Sequence, residues 1–290
     1  MPRLFERVTI AGVGLIGGSL ALAGRAAGLI GEVVGYGRSE ANLRVAQTRG
    51  IVDRYALTAP AAAQDADLLV LAVPVRAMAA VAGACAPVLR PDAIVTDVGS
   101  VKQAVLEAVT AVLPAGMPFV GAHPIAGTEA SGAAAAFPEL FRGRRCIITP
   151  SAGGDATAVA KIRALWEGVG MRVDEMDAAR HDTILAWVSH LPHAVAFSVL
   201  NALLDVDPTM LPFAGPSFRD LTRVAASSVE MWGDIFFANA ERVDAAVARC
   251  IDALGDLRQI IAHGDAAGLA AFLARAQAAR RQLNQQERDA

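Results

Sequence analysis

His123 is one of only five histidines in the chain, and it stands where a short apolar run meets small and polar residues in "PFVGAHPIAGTEASG" (118–132). The protonated imidazole ring of histidine has a pKa of about 6.5. The ring is therefore mostly neutral near pH 7 and can accept a proton as a general base. A structural alternative stays open, in which His123 is a hydrogen-bonded core residue and Pro124 only ends the strand.

Three further histidines lie close together in "RHDTILAWVSHLPHAVAF", namely His181, His190 and His193. Ser189 and His193 are four residues apart and share a helix face. His190 and His193 have the spacing of a metal pair, but no HExxH motif or neighbouring set of acids and cysteines accompanies them, so no metal site is expected. Pro192 is expected to kink this helix, because it leaves a backbone carbonyl unpaired.

Two arginines, Arg219 and Arg223, are also four residues apart, in "GPSFRDLTRVAASSVEMWGDIF". A guanidinium group binds a carboxylate through two parallel hydrogen bonds, which suits these residues to an acidic substrate. The alternative is a surface ion pair with Asp220 or Glu230.

The glycines of "GVGLIGG" form the pattern GxGxxG, after the apolar run "VTIA" and before the helical stretch "GSLALAGRAA". Gly12 would make a tight turn, Gly14 would let the backbone approach a pyrophosphate, and Gly17 would let the helix pack on the strand. The backbone through Leu15 and Ile16 would then offer free N–H groups to the phosphates. This context predicts dinucleotide binding, against the alternative of a merely structural glycine turn.

An acidic residue that binds the ribose is expected at the end of the second strand, in "EVVGYGRSE". Gly37 occupies that position, followed by Arg38 and Ser39. A glycine leaves room for a 2′-phosphate, and the next two side chains supply a cation and a hydroxyl, so NADP is predicted to be preferred over NAD. The alternative is that Arg38 is a solvated surface residue and Ser39 caps the next helix.

The elements that must position these residues are strands and helices in alternation. Seven β-like runs occur in the first ~175 residues: "RVTIAG", "EVVGYG", "ADLLVLAV", "AIVTDV", "PFVGA", "RCIITP" and "RVDEM". Such alternation predicts an α/β fold with a doubly wound, mostly parallel sheet, which binds ligands at the carboxyl ends of its strands. Three segments leave strands at that edge, at Val73–Pro74, at Gly99–Ser100 and at His123. Ser100 and Gln103 also have the spacing of a capping box.

The strand signals stop after about residue 177, and helices are predicted at 178–204, 217–228, 230–263 and 265–288. The sequence is therefore divided into a Rossmann-like dinucleotide-binding domain, residues 1–176, and an all-helical domain, residues 177–290. The stretch "HAVAFSVLNALL" is apolar on most sides, and such a helix must be buried on most sides. A homodimer formed through the helical domain is predicted, and burial within one chain is the alternative.

Composition excludes some partners. The 290-residue chain has a formal net charge of −3, which argues against nucleic acid and against an anionic membrane surface. The three cysteines, Cys85, Cys146 and Cys250, form no CxxC pair and indicate a reducing compartment.

The uncharged stretch 8–24 could pass for a signal peptide or a membrane span, but its glycines fit the nucleotide loop better. No other stretch is expected to reach membrane length, so a soluble cytoplasmic protein is predicted.

Taken in order, five segments resemble the prephenate/arogenate dehydrogenases of tyrosine biosynthesis, over residues 8 to about 240. They are "GVGLIGGSLA", "DVGSVK", "GAHPIAGTEASG", "HDTILAWVSHLPHAVAF" and "FRDLTRVAASSVEMWGDIF". The resemblance implies a Rossmann domain and a helical domain that forms a homodimer. From the sequence itself we expect neither a fused chorismate mutase nor room for a C-terminal regulatory domain. Gly37 is a departure, since members that use NAD often carry Asp at this position.

The resemblance also implies roles for individual residues. His123 accepts the proton of the substrate's C4 hydroxyl, Ser100 supports that interaction, and Arg223 binds a substrate carboxylate. Other residues implied at the substrate are Ser189, His193, His181, Trp232 and Glu129, the last as a group that gates or polarises the site. The predicted cofactor-binding residues are Gly12, Gly14, Leu15, Ile16, Gly17, Gly37, Arg38, Ser39, Val73, Pro74 and Gly99.

The implied reaction is the oxidative decarboxylation of prephenate or arogenate, to 4-hydroxyphenylpyruvate or tyrosine, with hydride transfer to NAD(P)+. A hydroxyacid or 6-phosphogluconate-type dehydrogenase is a rival, but such enzymes usually rely on a helical-domain lysine, and residues 162–290 contain none. A non-catalytic NADP-binding regulatory protein is a second rival, which would not need His123, Ser100 and Arg223 to converge. The sequence does not distinguish prephenate from arogenate, and it is silent on feedback inhibition by tyrosine.

Overall fold

A computed structural model describes residues 3–128, 130–151 and 153–288, with side chains up to residue 285. Its strands are β1 (Phe5–Ala11), β2 (Ile30–Tyr36), β3 (Arg54–Ala56), β4 (Leu68–Leu71), β5 (Ile94–Asp97), β6 (Phe119–Pro124), β7 (Arg145–Pro150) and β8 (Arg172–Glu175). The helices of the first 168 residues are α1 (Leu15–Ala26), α2 (Glu40–Thr48), α3 (Ala59–Ala63), α4 (Met78–Cys85), α5 (Gln103–Thr110) and α6 (Ala156–Gly168).

The eight strands form one sheet in the order β3-β2-β1-β4-β5-β6-β7-β8. All neighbouring pairs are parallel except β6 and β7, which are antiparallel. The predicted mostly parallel, doubly wound sheet is confirmed, and each of the seven predicted strands is present. The edge strand β3 was missed, because its three residues are too short to show a hydrophobic pattern. The strand order reverses between β1 and β4, which is the point where such sheets bind dinucleotides.

Both faces of the sheet are covered, which explains why its central strands are continuous apolar runs. One core cluster packs α1, α2 and α6 on one face, with Trp166 as its largest fully buried side chain. A second cluster packs α3, α4 and α5 on the other face. Every residue of β6 is buried, so the strand that ends at His123 and Pro124 lies in a rigid setting.

The helices that follow the sheet are α7 (Ala178–Leu185), α8 (Leu191–Val206), α9 (Pro216–Thr222), α10 (Val229–Ala238), α11 (Ala240–Ala262) and α12 (Ala266–Arg288). A single turn of π-helix, Ala186–His190, joins α7 to α8. Pro192 stands in the first turn of α8, where a missing N–H is tolerated. The irregularity predicted at Pro192 is therefore a π-turn just before it, and such turns often occur at functional sites.

Residues 1–240 form one compact unit and residues 241–290 form a second. The first unit includes α7 and α10, because α7 packs against α5 and β7 and α10 packs against the segment after β4. The domain division at 176/177 stays a prediction. Val101, in the loop after β5, lies in a small apolar cluster with Trp232 and Ile235. Arg76, after β4, forms an ion pair of 2.8 Å with the buried carboxylate of Asp234.

One helical stretch, Ala178–Val206, is long and apolar enough to cross a membrane by length and composition. The prediction that only residues 8–24 come near membrane length was therefore wrong, and residues 8–24 themselves form β1, the glycine loop and part of α1. The 178–206 stretch carries the fully buried side chains of His181 and His190.

Candidate active site

His123 lies at the carboxyl end of β6, and its side chain meets His181 of α7. Nδ1 of His123 is 2.9 Å from Nε2 of His181, and Nδ1 of His181 is 2.7 Å from Oδ1 of Asp182. His181 and Asp182 are completely buried, whereas His123 is 9% exposed. Burial, together with the charges of His181, Lys102 and His190, holds the pKa of His123 well below its usual value. His123 is therefore neutral at pH 7, as a general base must be.

The carboxylate of Asp182 caps α5, which is part of the sheet domain. Oδ1 accepts a hydrogen bond of 2.8 Å from the Lys102 backbone N–H, and Oδ2 accepts one of 2.9 Å from that of Gln103. Burial raises the pKa of Asp182, but the hydrogen bonds from His181, Gln103 and Lys102 outweigh it and leave the pKa below its usual value. The predicted capping box at Ser100 was wrong, because α5 begins at Gln103 and a side chain from a distant helix occupies its N-terminus.

A buried ion pair lies under the same loop. The Lys102 ammonium contacts Oδ2 of Asp97 and donates a hydrogen bond of 2.8 Å to the backbone carbonyl of Ala122, the residue before His123. Asp97 also accepts hydrogen bonds from the backbone N–H groups of Gly99 and Ala122. Burial lowers the pKa of Lys102, and the charge of Asp97 opposes that effect. The ion pair therefore links the end of β5 to the end of β6, next to His123.

His190, the last residue of the π-turn, is buried and makes its contacts inside the protein. Its Nδ1 is 3.2 Å from the Asn239 amide, which also donates to the backbone carbonyl of Asp182. Burial lowers the pKa of His190 to about 4, and the charge of Asp182 and the backbone of Ser100 offset it only in part. Ser100 is itself half-buried, beside this histidine.

His193 and Trp232 line the candidate site from the helices that follow the sheet. Their rings are stacked, with centroids 3.6 Å apart, and Nδ1 of His193 is 2.9 Å from the backbone carbonyl of Ser189. That contact makes Nδ1 the protonated nitrogen and leaves Nε2 with a lone pair. Burial lowers the pKa of His193, and the charge of Arg223 lowers it further. Arg223 is exposed and near enough for its charge to act on this imidazole.

The glycine loop between β1 and α1 has the geometry of a phosphate cradle. Gly12 has φ +102°, and a Cβ there would lie 2.2 Å from the Ala72 carbonyl oxygen; at Gly17 a Cβ would lie 2.5 Å from the Gly12 oxygen. A Cβ at Gly14 would meet nothing within 4 Å, so that backbone faces open space. Gly14 is the N-cap of α1 and no side chain caps this helix, so its first N–H groups can bind phosphate. The residues present therefore fit a dinucleotide.

The residues at the end of β2 flank that loop. A Cβ at Gly37 would make only ordinary contacts with Leu43, so the position would accept a side chain. Arg38 is exposed and lies 3.8 Å from Glu230, while the hydroxyl of Ser39 accepts a hydrogen bond of 3.3 Å from the Asn42 N–H as the cap of α2. The other predicted cofactor residues lie where expected: Leu15 and Ile16 in the first turn of α1, Val73 and Pro74 after β4, and Gly99 after β5. Glu129 lies outside the described residues.

Family models match almost the whole described fold. The nucleotide-binding domain of prephenate dehydrogenase matches residues 20–175, and the prephenate dehydrogenase dimerization domain matches residues 177–275. The chain belongs to the prephenate dehydrogenase family. This membership agrees with the resemblance that the motifs carry.

Relatives in this family cover the chain nearly end to end. A cyclohexadienyl dehydrogenase of Zymomonas mobilis is 40% identical over 267 residues, which is 90% of this chain and 90% of the relative. The crystal structure of A. aeolicus prephenate dehydrogenase with hydroxyphenyl propionate and NAD+ is 34% identical, has a TM-score of 0.90, and covers 96% of this chain and 98% of its own. Synechocystis arogenate dehydrogenase is 28% identical, with a TM-score of 0.81 and coverages of 96% and 99%.

Three buried charged residues at this family site were missed by the motif analysis: Asp97, Lys102 and Asp182. Two of them lie in "TDVGSVK", of which only Gly99 and Ser100 were predicted as site residues. A signal was available, because Asp97 closes an apolar strand, where a carboxylate must be paired if it is buried. The link from Asp182 to α5 has no local signal, since 80 residues separate the two groups.

Proposed function

We propose that this member of the prephenate dehydrogenase family oxidatively decarboxylates prephenate, arogenate or both, with NAD(P)+ as hydride acceptor. One observation carries the proposal: a neutral His123, with one nitrogen engaged by His181, lies at the same sheet edge as a glycine loop that fits a dinucleotide. The family supplies the substrate class, and this geometry supplies a base beside a cofactor site.

His123 would remove the proton of the C4 hydroxyl. Its Nδ1 is engaged with His181, and Nε2 has no hydrogen-bond partner among the described residues, so Nε2 is the nitrogen that would meet the substrate. Bound NAD(P)+ supplies the hydride acceptor. Loss of CO2 makes the ring aromatic, which drives the reaction, so the protein has mainly to orient the groups and take one proton.

Arg223, His193 and Trp232 would hold the substrate from the helical side. Arg223 brings a permanent cation suited to a carboxylate, and its charge lowers the pKa of His193. The stacked rings of His193 and Trp232 give a flat wall against which a six-membered ring could lie. Ser189 orients His193 through its backbone carbonyl, and Ser100 lies beside His190 at the loop after β5.

NADP is proposed as the preferred cofactor. Gly37 offers no carboxylate to repel a 2′-phosphate, Arg38 is exposed, and the Ser39 hydroxyl keeps its proton for donation while it caps α2. Gly37→Asp tests this, because the position accepts a side chain. We expect the ratio of kcat/KM for NADP over NAD to fall at least tenfold in the variant. A wild-type enzyme that already prefers NAD contradicts the proposal.

The helical domain, residues 177–290, is proposed to form a homodimer. Within one chain α8 buries only Ala196, although it is apolar on most sides, and its last residue, Val206, is exposed. Other large apolar side chains of this region are also exposed, namely Trp187, Val188, Phe213 and Phe237. A second copy would cover such surface, as the match to a dimerization domain suggests.

The test of function is turnover with prephenate and arogenate, each with NAD+ and NADP+, followed at 340 nm. His123→Asn should lower kcat by about 10²–10⁴-fold with little change in KM, because it removes a base and keeps the shape of the site. An equal kcat for wild type and His123→Asn refutes the role of His123. Absence of turnover in all four combinations refutes the function.

A further inference from the structure

Two groups that the proposed chemistry does not use lie directly behind the catalytic base. His123, His181 and Asp182 form an unbroken hydrogen-bonded chain, with contacts of 2.9 Å and 2.7 Å, inside a region where His181 and Asp182 are shielded from solvent. A histidine that merely lined the substrate pocket would have one nitrogen free for the substrate. Both nitrogens of His181 are engaged with protein groups instead.

The partners of Asp182 determine where every proton of the chain lies. Its two oxygens accept hydrogen bonds from the backbone N–H groups of Lys102 and Gln103, which only acceptor atoms can do. His181 must therefore donate from Nδ1 to the carboxylate, and its Nε2 is the acceptor. His123 must then donate from Nδ1 to that acceptor, which leaves the lone pair of His123 on Nε2.

We propose that His181 and Asp182 act through His123 as a proton relay, which rests on the dehydrogenase function proposed above. As the hydroxyl proton of the substrate forms a bond with Nε2 of His123, the N–H bond at Nδ1 of His123 breaks and that proton binds Nε2 of His181. His123 stays neutral in its other tautomer, and His181 becomes the cation, hydrogen-bonded to the Asp182 carboxylate. After product release the protons return by the reverse path, and Nε2 of His123 gives one to solvent.

The charges around the two rings favour this end point. The titratable or charged groups that face them are Lys102 after β5, Asp97 on β5, Cys146 on β7, Asp182 on α7 and His190 of the π-turn. The ammonium of Lys102 disfavours a cation on either ring. Burial holds the pKa of His181 below its usual value, but the hydrogen bond and the charge of Asp182 oppose that effect, and no carboxylate does the same for His123. A relay therefore moves the positive charge from His123, which has no carboxylate partner, to His181, which is hydrogen-bonded to Asp182.

Two substitutions separate the tasks of the relay. In Asp182→Asn the amide loses one cap hydrogen bond whichever way it turns, because Oδ1 accepts from both the Lys102 N–H and His181 and Oδ2 accepts from the Gln103 N–H. The variant also removes the negative charge that stabilises a cation on His181. In His181→Gln the amide oxygen can still accept from His123, so the tautomer of the base is kept, but the side chain cannot take up a proton. Asp177→Asn is the matched control, because the Asp177 side chain also caps a helix, by accepting from the Arg180 N–H, and its hydrogen bond with His181 is made by the backbone carbonyl, which the substitution keeps.

The tautomers are measured without substrate. Long-range ¹H–¹⁵N spectra of the five ¹⁵N-labelled histidines, assigned by single substitutions, should show His123 protonated at Nδ1 in wild type, in His181→Gln and in Asp177→Asn. A wild-type His123 protonated at Nε2 overturns the relay.

The proton transfers are measured in single turnovers with prephenate in H₂O–D₂O mixtures. The dependence of the rate on deuterium fraction should be curved in wild type and in Asp177→Asn, as for two protons in flight, and linear in His181→Gln. The rate should fall about 10–100-fold in His181→Gln and about 10²–10⁴-fold in Asp182→Asn, with binding of prephenate little changed. A linear dependence in wild type, or a wild-type rate in Asp182→Asn, overturns the relay. A wild type that oxidises neither substrate overturns the proposed function instead, and the tautomer spectra still decide the relay's proton positions.

Discussion

Replacing Lys102 with methionine removes one charge of a pair that is buried completely. The side chains of Lys102 and Asp97 are 1% and 0% exposed, and methionine has nearly the shape of lysine without the ammonium. Loss of one partner leaves an uncompensated carboxylate, which costs about 3–5 kcal/mol. Asp97 keeps its hydrogen bonds from Gly99 and Ala122, so we expect the lower end, about 3 kcal/mol.

The assay is urea unfolding followed by circular dichroism at one fixed protein concentration. With a slope of about 3 kcal/mol per M, the midpoint of Lys102→Met should fall by about 1 M. The only other lysine, Lys161, is exposed, so Lys161→Met is the matched control and should change stability by about 0.5–1 kcal/mol at most, through its contact with the Phe5 ring. Adding Asp97→Asn to Lys102→Met neutralises the orphaned charge, but the amide NH₂ group then faces either the Gly99 N–H or the Ala122 N–H, so we expect little net recovery of stability.

The reasoning about the buried pair is refuted if Lys102→Met costs no more than Lys161→Met. In the surviving protein the pKa that controls kcat/KM should rise, since the Lys102 charge lowers the pKa of His123.

Three further outcomes are expected. Burial lowers the pKa of His190 to about 4, so below pH 6.5 the folded state binds fewer protons than the unfolded state. The free energy of unfolding should therefore drop by about 2 kcal/mol between pH 7.5 and pH 5. If the pH dependence of this free energy is the same in His190→Gln as in wild type, the assignment is contradicted. Gly12→Ala should lower the melting temperature and abolish the fluorescence enhancement of NADPH on binding, because its Cβ would lie 2.2 Å from the Ala72 carbonyl oxygen. Gly50→Ala is the control: its φ is +66° but its Cβ would meet nothing within 4 Å, so its melting temperature should fall only through backbone strain. Equal losses in the two variants contradict the steric argument. Arg223→Ala should raise KM for prephenate about 10–100-fold with little change in kcat, and a fall in kcat at constant KM argues against a carboxylate anchor.

Local sequence was enough to predict the sheet and its cofactor loop. Continuous apolar runs predict strands that are covered on both faces, and seven of the eight strands followed from that pattern. The glycines at 12 and 17 have one physical reason each, a left-handed turn and a close helix–strand contact, and both reasons act within a few residues of chain. The NADP preference and the individual substrate contacts stay predictions.

The amino-acid sequence by itself determined where the strands end, and therefore that His123 stands at the ligand-binding edge of a parallel sheet. Only the tertiary structure decided what lies behind that imidazole. Asp182 reaches the N-terminus of α5 from 80 residues further along the chain, and no helical or strand periodicity records such a pairing. A buried proton network is a property of packing, because burial sets which groups are charged and contact sets which nitrogen holds each proton.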